Sequence, residues 1–161
     1  MKIDELIKYA TLDKAGAAKE AYRAIKAELL LNSSSKNPKP EGKVVKSITF
    51  CRKDNSSFDI EVNELDLAII RKLIKEREEQ ISMYEANSRK DLADMYREQL
   101  VCYKVLLPEE ISKEKIQEAV TSAYPNGFSQ KEMGKVIKEV KSIYPTADGK
   151  LISEVVKKYI N

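Results

Sequence analysis

The chain of 161 residues contains no histidine, and this absence excludes a large group of catalytic sites. Histidine supplies the general base of most nucleophile–base pairs and is the commonest metal ligand. Histidine-based triads, proton relays and histidine metal sites are therefore excluded. Glycine loops of the Walker or dinucleotide-binding type are also missing from the sequence. We expect no cofactor, no metal and no reaction carried out by this chain alone.

Cysteine is scarce, with only Cys51 and Cys102, which lie far apart and without metal-ligand spacing. Two basic residues follow Cys51, but without a histidine base a nucleophilic thiol lacks its usual partner. Cys102 falls within a helical pattern, where we expect a small core or boundary residue. Such sparse cysteine usage favours a reducing, cytoplasmic setting.

Glycine and proline are also scarce, with five of each, and this favours long helices. The apolar share is 42% and the charged share is 34%, so the chain can bury a core and remain soluble. No apolar run approaches the length of a membrane span. The acidic residues Asp4 and Glu5 stand where a signal peptide needs an apolar stretch. We therefore expect no membrane partner.

The first half of the chain combines helical spacing with one alternating segment. Apolar residues recur at helical spacing over 14–31, and residues 1–10 predict a short preceding helix. A loop rich in serine, asparagine and proline follows at 32–40. Apolar and polar residues then alternate on both sides of a polar turn, which predicts a β-hairpin over 48–62. A lone hairpin is marginal in water, so this one must pack on the helices.

From Asn63 onward the helical pattern is strong. Apolar residues mark one face of a long helix that reaches Tyr84, and Ala86-Asn87 is the predicted turn. Ser88, with Asp91 three residues later, is the predicted start of the next helix. We expect the two helices to pack antiparallel and to end at Pro108.

Three shorter helices are predicted after Pro108, with Ser112, Ser129 and Asp148 at their starts. Three short helices joined by short turns make a compact bundle. The sequence therefore predicts an all-α protein, with the small β-hairpin at 48–62 as an insertion. We expect an N-terminal helical subdomain at 1–108 with a long helical hairpin, and a C-terminal three-helix subdomain at 109–161.

Positive charge is concentrated beyond Ser112, where the sequence has nine lysines and six acidic residues. The rest of the chain is balanced, so the whole net charge of +3 lies in this last third. Such asymmetry favours an anionic partner, although +3 is also an ordinary charge for the solubility of a small domain.

Two strings in this region open predicted helices: Met133-Gly134-Lys135-Val136 and Ala147-Asp148-Gly149-Lys150. Each places a glycine and a lysine in the first turns. Glycine lets another backbone approach closely, and a helix N-terminus attracts anions. Both features suit a phosphate-bearing partner. The alternative is that the glycines only allow tight helix packing.

Lysines also form stripes along these two helices. Three of them follow i, i+4, i+7 spacing on the first, and two stand seven residues apart on the second. Such stripes suit phosphate contacts without base readout, or they are simply the solvated faces of amphipathic helices. The candidate RNA-binding residues are Lys131, Gly134, Lys135, Lys138, Asp148, Gly149, Lys150 and Lys157.

These two strings and several upstream ones together resemble the GatB/YqeY family. The upstream residues are Arg77, Tyr84-Glu85-Ala86, Arg89-Lys90-Asp91-Leu92, Glu98 and Leu106-Leu107-Pro108-Glu109-Glu110-Ile111-Ser112. That family includes free-standing YqeY-like proteins and the tail domain of the B subunit of the tRNA-dependent amidotransferase, which converts Glu-tRNA(Gln) or Asp-tRNA(Asn) to the amide form. The resemblance is clear over about Val62–Asn161 and weaker over Lys14–Leu31. We expect Ser33–Glu61 to differ from the family.

The resemblance implies a helical protein with a role around tRNA. In the amidotransferase the tail domain contacts tRNA, while the amidation chemistry belongs to other domains and subunits. We therefore expect a tRNA-associated accessory protein that binds the tRNA backbone, with the two glycine–lysine strings as contacts. A helical protein–protein interaction module is the main alternative. An enzyme is a third interpretation, for which no residue in the sequence argues.

Overall fold

The computed structural model describes residues 1–160, and these residues are mostly helical. Seven α-helices and two strands are present in this range, and a 3-10 turn at Gln130–Glu132 precedes the sixth helix. In chain order they are α1 (Ile3–Leu12), α2 (Gly16–Ser33), β1 (Val44–Cys51), β2 (Ser57–Asn63), α3 (Glu64–Ala86), α4 (Lys90–Leu106), α5 (Lys113–Ala123), α6 (Met133–Ile143) and α7 (Gly149–Lys157). None of these helices is long and apolar enough to cross a bilayer.

The chain divides into two compact units, Met1–Leu107 and the part from Pro108 onward. Each unit has its own hydrophobic core. In the first unit, α2 packs on both α3 and α4, and the β-hairpin packs on α3. In the second unit, α5, α6 and α7 all pack on one another.

The predicted β-hairpin is confirmed and is longer than expected, because β1 begins four residues earlier. The strands pair antiparallel, with Ile48 opposite Ile60 and Phe50 opposite Phe58. These alternating side chains face the core of the first unit, and Ile60 is fully buried. The hairpin is therefore part of the core and stabilises it, as a pair of strands that is marginal alone must.

The helical hairpin of α3 and α4 is also confirmed, but its second helix does not begin as predicted. Ser88 has a positive φ of 58°, whereas a capping residue needs extended backbone. Its side chain therefore does not cap α4, and Arg89 occupies the N-cap position without a side-chain cap bond. The first helix of this hairpin, α3, is capped, because Asn63 and Asp66 form reciprocal hydrogen bonds of 2.8 and 3.0 Å.

One residue whose helical spacing matches the apolar side of α4 does not face the core. Met95 is 42% exposed, while Ala93 and Gln99 on the same helix are buried. Gln99 is buried because its side-chain oxygen accepts a hydrogen bond of 2.9 Å from Arg77 Nε on α3. A buried amide with such a charged partner takes a place that hydrophobic spacing assigns to apolar residues.

The caps predicted in the second unit are present. The Ser112 side chain accepts a hydrogen bond from the Lys115 backbone at the start of α5. Asp148 accepts one of 2.9 Å from the Lys150 backbone at the start of α7. Ser129 pairs with Glu132, but across the 3-10 turn that precedes α6.

Candidate nucleic-acid interface

All eight candidate residues of the second unit are exposed to solvent. On α6 the buried positions are Val136 and Val140. At 100° per residue, Lys135 and Lys138 lie on the opposite side of the helix. Lys131 lies one turn before Lys135, in the 3-10 segment. The lysine stripe thus follows the outward side of this helix.

A second outward stripe lies on α7. Its buried positions are Ile152, Val155 and Val156. Lys150 and Lys157 are seven residues apart, so they fall on the same side of the helix, away from the buried face. Each of the two helices therefore presents lysines on the side opposite its core contacts.

The lysines differ in their ion pairs. Lys135 Nζ lies 3.9 Å from a carboxylate oxygen of Glu139, whose other oxygen accepts a hydrogen bond of 2.7 Å from the Tyr124 hydroxyl. Within residues 1–160, the other four stripe lysines form no ion pair. These four are Lys131, Lys138, Lys150 and Lys157. Four exposed cations are thus available to an external anion.

Both helix starts already hold a carboxylate of the protein. Before α6, Glu132 accepts hydrogen bonds of 3.0 and 2.9 Å from the backbone N–H and the hydroxyl of Ser129. The bond from the Ser129 backbone is the main reason that the pKa of Glu132 is lowered. At α7, the Asp148 side chain accepts from the Lys150 backbone. The outward lysine stripes are thus more open to an external anion than the two helix N-termini.

Tight packing does not explain the two glycines. A methyl group at Gly134 or Gly149 would meet no neighbouring atom within 4 Å. The interpretation that these glycines allow close helix packing is therefore wrong. Each glycine leaves an exposed stretch of backbone in the first turn of its helix, with open space beside it.

The second unit contains a short internal repeat that the sequence analysis missed. The pattern Gly-Lys-x-Ile-x-Glu-Val occurs at 134–140 and again at 149–155. A Tyr-Pro pair precedes each copy, and both tyrosines end a helix: the backbone N–H groups of Tyr124 and Tyr144 each bond the carbonyl four residues earlier, at 2.8 Å. Aligning the sequence with itself would have found this signal. The repeat makes Lys135 and Lys150 equivalent positions.

Net charge does not separate the two units. From Pro108 onward there are nine lysines and eight acidic residues, a net charge of +1, and the preceding residues carry +2. The excess found beyond Ser112 disappears because Glu109 and Glu110 belong to the same unit. Any attraction of an anion to this unit must therefore come from local groups of lysines such as the stripes, since the unit as a whole is nearly neutral.

Comparison with known proteins places this arrangement in a family. The family model described as Yqey-like protein matches residues 43–160. The chain belongs to the YqeY-like family. The matched region contains β1 and β2 as well as all helices from α3 to α7. A search among curated proteins gives no match.

The family match corrects one expectation about the hairpin. Residues 33–61 were expected to differ from the family, yet the YqeY-like match begins at residue 43. The hairpin therefore belongs to the family region, in agreement with its buried packing against α3. The weaker resemblance over Lys14–Leu31 lies outside the matched residues.

Proposed function

We propose that this YqeY-like protein is a tRNA-associated accessory protein that binds the tRNA backbone and carries out no reaction of its own. The observation that carries the proposal is the set of four exposed lysines without acidic partners on the outward sides of α6 and α7: Lys131, Lys138, Lys150 and Lys157. Lysine is a point charge that suits phosphate oxygens without reading a base. The proposed binding is therefore insensitive to tRNA sequence.

The choice of tRNA as the partner follows from the resemblance to the tail domain of the amidotransferase B subunit. The 161 residues resemble that tail domain and not the domains to which the amidation chemistry belongs. We therefore assign it a binding role next to translation in the cytoplasm. Gly134 and Gly149 support this role, because each leaves open backbone beside a lysine.

Charge reversal on the outward stripes tests the proposal. Lys138→Glu and Lys150→Glu should each weaken the binding of labelled tRNA by roughly fivefold, equivalent to about 1 kcal/mol. Fluorescence anisotropy measures the affinity, and the loss should be the same for different tRNA sequences. The melting temperature should stay unchanged, because exposed charge changes usually move stability by less than about 0.5 kcal/mol.

Lys36→Glu is the matched control, because Lys36 is an exposed lysine in the loop before β1. It should leave tRNA binding as it is. Equal affinities for the wild type, both stripe variants and this control would exclude the lysine stripes as the tRNA interface.

The second candidate is a helical protein–protein interaction module. It is favoured by Ile143, a large apolar side chain at the end of α6 that is 59% exposed. Affinity capture from lysate, with and without nuclease, separates the two functions. Capture of RNA that nuclease removes favours the tRNA role. A protein that remains bound after nuclease treatment and is lost in Ile143→Ser favours the interaction module.

A further inference from the structure

The turn of the β-hairpin holds an arginine whose backbone is fixed on both sides. The Arg52 N–H donates a hydrogen bond of 2.7 Å to the Ser56 carbonyl, and its carbonyl accepts one of 3.0 Å from Asn55. Asn55 has a φ of 64°, in the left-handed region that asparagine tolerates. The direction in which the Arg52 side chain leaves the turn is thereby set.

The Arg52 side chain is also held by aromatic rings. Its guanidinium carbon lies 5.0 Å from the ring centre of Phe58. Phe58 stacks on Phe50 at 5.5 Å, and Tyr9 of α1 contacts both rings at 5.7 and 5.8 Å. An arginine stacked in this way has lost rotamer freedom before any ligand arrives.

The nearby carboxylates are engaged elsewhere. Asp54 accepts hydrogen bonds of 2.9 and 2.6 Å from the backbone and hydroxyl of Ser56. Asp13 lies 3.8 Å from the Lys53 ammonium. Arg52 forms no ion pair within the part of the chain that the structure describes, and its buried Nε has no hydrogen-bond partner there. The hydrogen bonds from Ser56 and, after them, the Arg52 charge lower the pKa of Asp54, so Asp54 acts on this guanidinium at a distance without forming an ion pair with it.

A cavity of about 220 Å³ has Arg52 in its lining, together with Tyr9, Leu12, Asp13, Lys53 and Asp54. We propose that this cavity is an oxyanion site in which the two terminal Nη nitrogens of the Arg52 guanidinium form the fork that binds a phosphate or phosphate ester. A guanidinium fork matches two oxygens of such a group. The two cations of the lining are balanced by two carboxylates, so selectivity comes from the fork geometry and the binding is weak.

The site lies in the first unit, so it stands independently of the tRNA interface proposed on α6 and α7. The site is tested by titrating the full chain with each probe while the ¹H–¹⁵N resonances of the arginine Nε–H groups are recorded. The probes are inorganic phosphate, uridine monophosphate and a short RNA, each at constant ionic strength set with sodium chloride. The Arg52 Nε–H and the amides of 53–56 should shift saturably. Arg89, an exposed arginine paired with Asp91, is the control and should not shift.

Two variants should change the affinity in opposite directions. Arg52→Lys keeps the charge but loses the fork, and it should weaken binding at least fivefold. Asp54→Asn removes a competing carboxylate and still accepts from Ser56, so it should strengthen binding about threefold. Melting curves confirm that both variants fold.

The probes also identify the source of the oxyanion. Saturation by phosphate or uridine monophosphate indicates a small phosphate ligand, and saturation by RNA alone indicates a polynucleotide backbone. Either result supports the site. Equal shifts at Arg52 and Arg89, or an affinity that neither variant changes, would overturn it.

Discussion

Tyr22 and Tyr103 are the two residues whose ionisation is most affected by the fold. Both side chains are buried in the first unit, and the Tyr103 hydroxyl donates a hydrogen bond of 3.1 Å to the Ala21 carbonyl. Burial raises the pKa of each phenol to about 12, from a usual value of 10.0. Burial disfavours the charged phenolate, so both phenols stay protonated while the fold is intact.

This difference predicts a loss of stability at high pH. Below pH 10 both states hold the proton, and the stabilisation is fully present. Between pH 10 and about 12 the unfolded chain releases these protons and the folded chain does not, so the free energy of unfolding falls. The slope is about 1.4 kcal/mol per pH unit for each tyrosine.

Denaturant unfolding at pH 9, 10.5 and 11.5 measures this loss for the first unit. In Tyr103→Phe the free energy of unfolding should fall less steeply with pH, by about 1.4 kcal/mol per pH unit, because one buried phenol is removed. A slope identical to that of the wild type would contradict the burial of this phenol. An absorbance titration at 295 nm should also show two of the eight tyrosines ionising last.

Single-residue features were predicted best where local chemistry alone decides them. The caps Ser112 and Asp148 follow from short polar side chains at helix starts, which need only their own backbone. Ser88 is also a short polar residue near a helix start. Its own backbone, however, adopts a positive φ after the turn at Asn87, whereas a capping residue needs extended backbone. Gln99 was missed because its burial depends on Arg77, which lies 22 residues away.

At the scale of single helices, the start of α7 separates two contributions of Asp148. Its side chain caps the helix, and its charge stands beside Lys150. Asp148→Asn keeps a capping oxygen and removes the charge, so the stability should change by less than about 0.5 kcal/mol. If phosphate approaches this helix start, tRNA binding should strengthen by roughly threefold.

Asp148→Ala is the matched control, because it removes the same charge together with the cap. It should gain the same affinity and lose about 1 kcal/mol of stability. Thermal unfolding and tRNA anisotropy measure both effects. If neither variant changes the affinity, phosphate does not approach the start of α7.

The β-hairpin shows which features of a single element a sequence pattern predicts and which it does not. Alternation around a polar turn predicted both strands, because only the inward side chains need to be apolar. The extension of β1 to Val44 was not predicted, since it depends on contacts with distant residues. The Lys46 ammonium donates hydrogen bonds of 2.9 and 2.5 Å to the carbonyls of Val105 and Leu107 at the end of α4. Nothing in the local sequence indicates this contact.

For the whole molecule, the helical character, the antiparallel pair of α3 and α4 and the family were accessible from the sequence. Long amphipathic patterns between clear turn signals carry most of that information. Net charge predicts the interface less well, because its value depends on where the boundary between the two units is drawn. Two glutamates at 109 and 110 reduce the net charge of the second unit to +1. The exposure and ion pairing of individual lysines therefore decide the candidate interface.

Binding of the tRNA backbone through four exposed lysines, as proposed for this YqeY-like protein, should depend strongly on salt. The decisive measurement is the salt dependence of tRNA affinity, made with the full chain. Four phosphate contacts predict that log K falls with log [salt] with a slope of about −3. In the variant with Lys131, Lys138, Lys150 and Lys157 all changed to Gln, the slope should approach zero and the affinity should fall. A wild-type slope near zero, or an equal slope in this variant, would contradict the account.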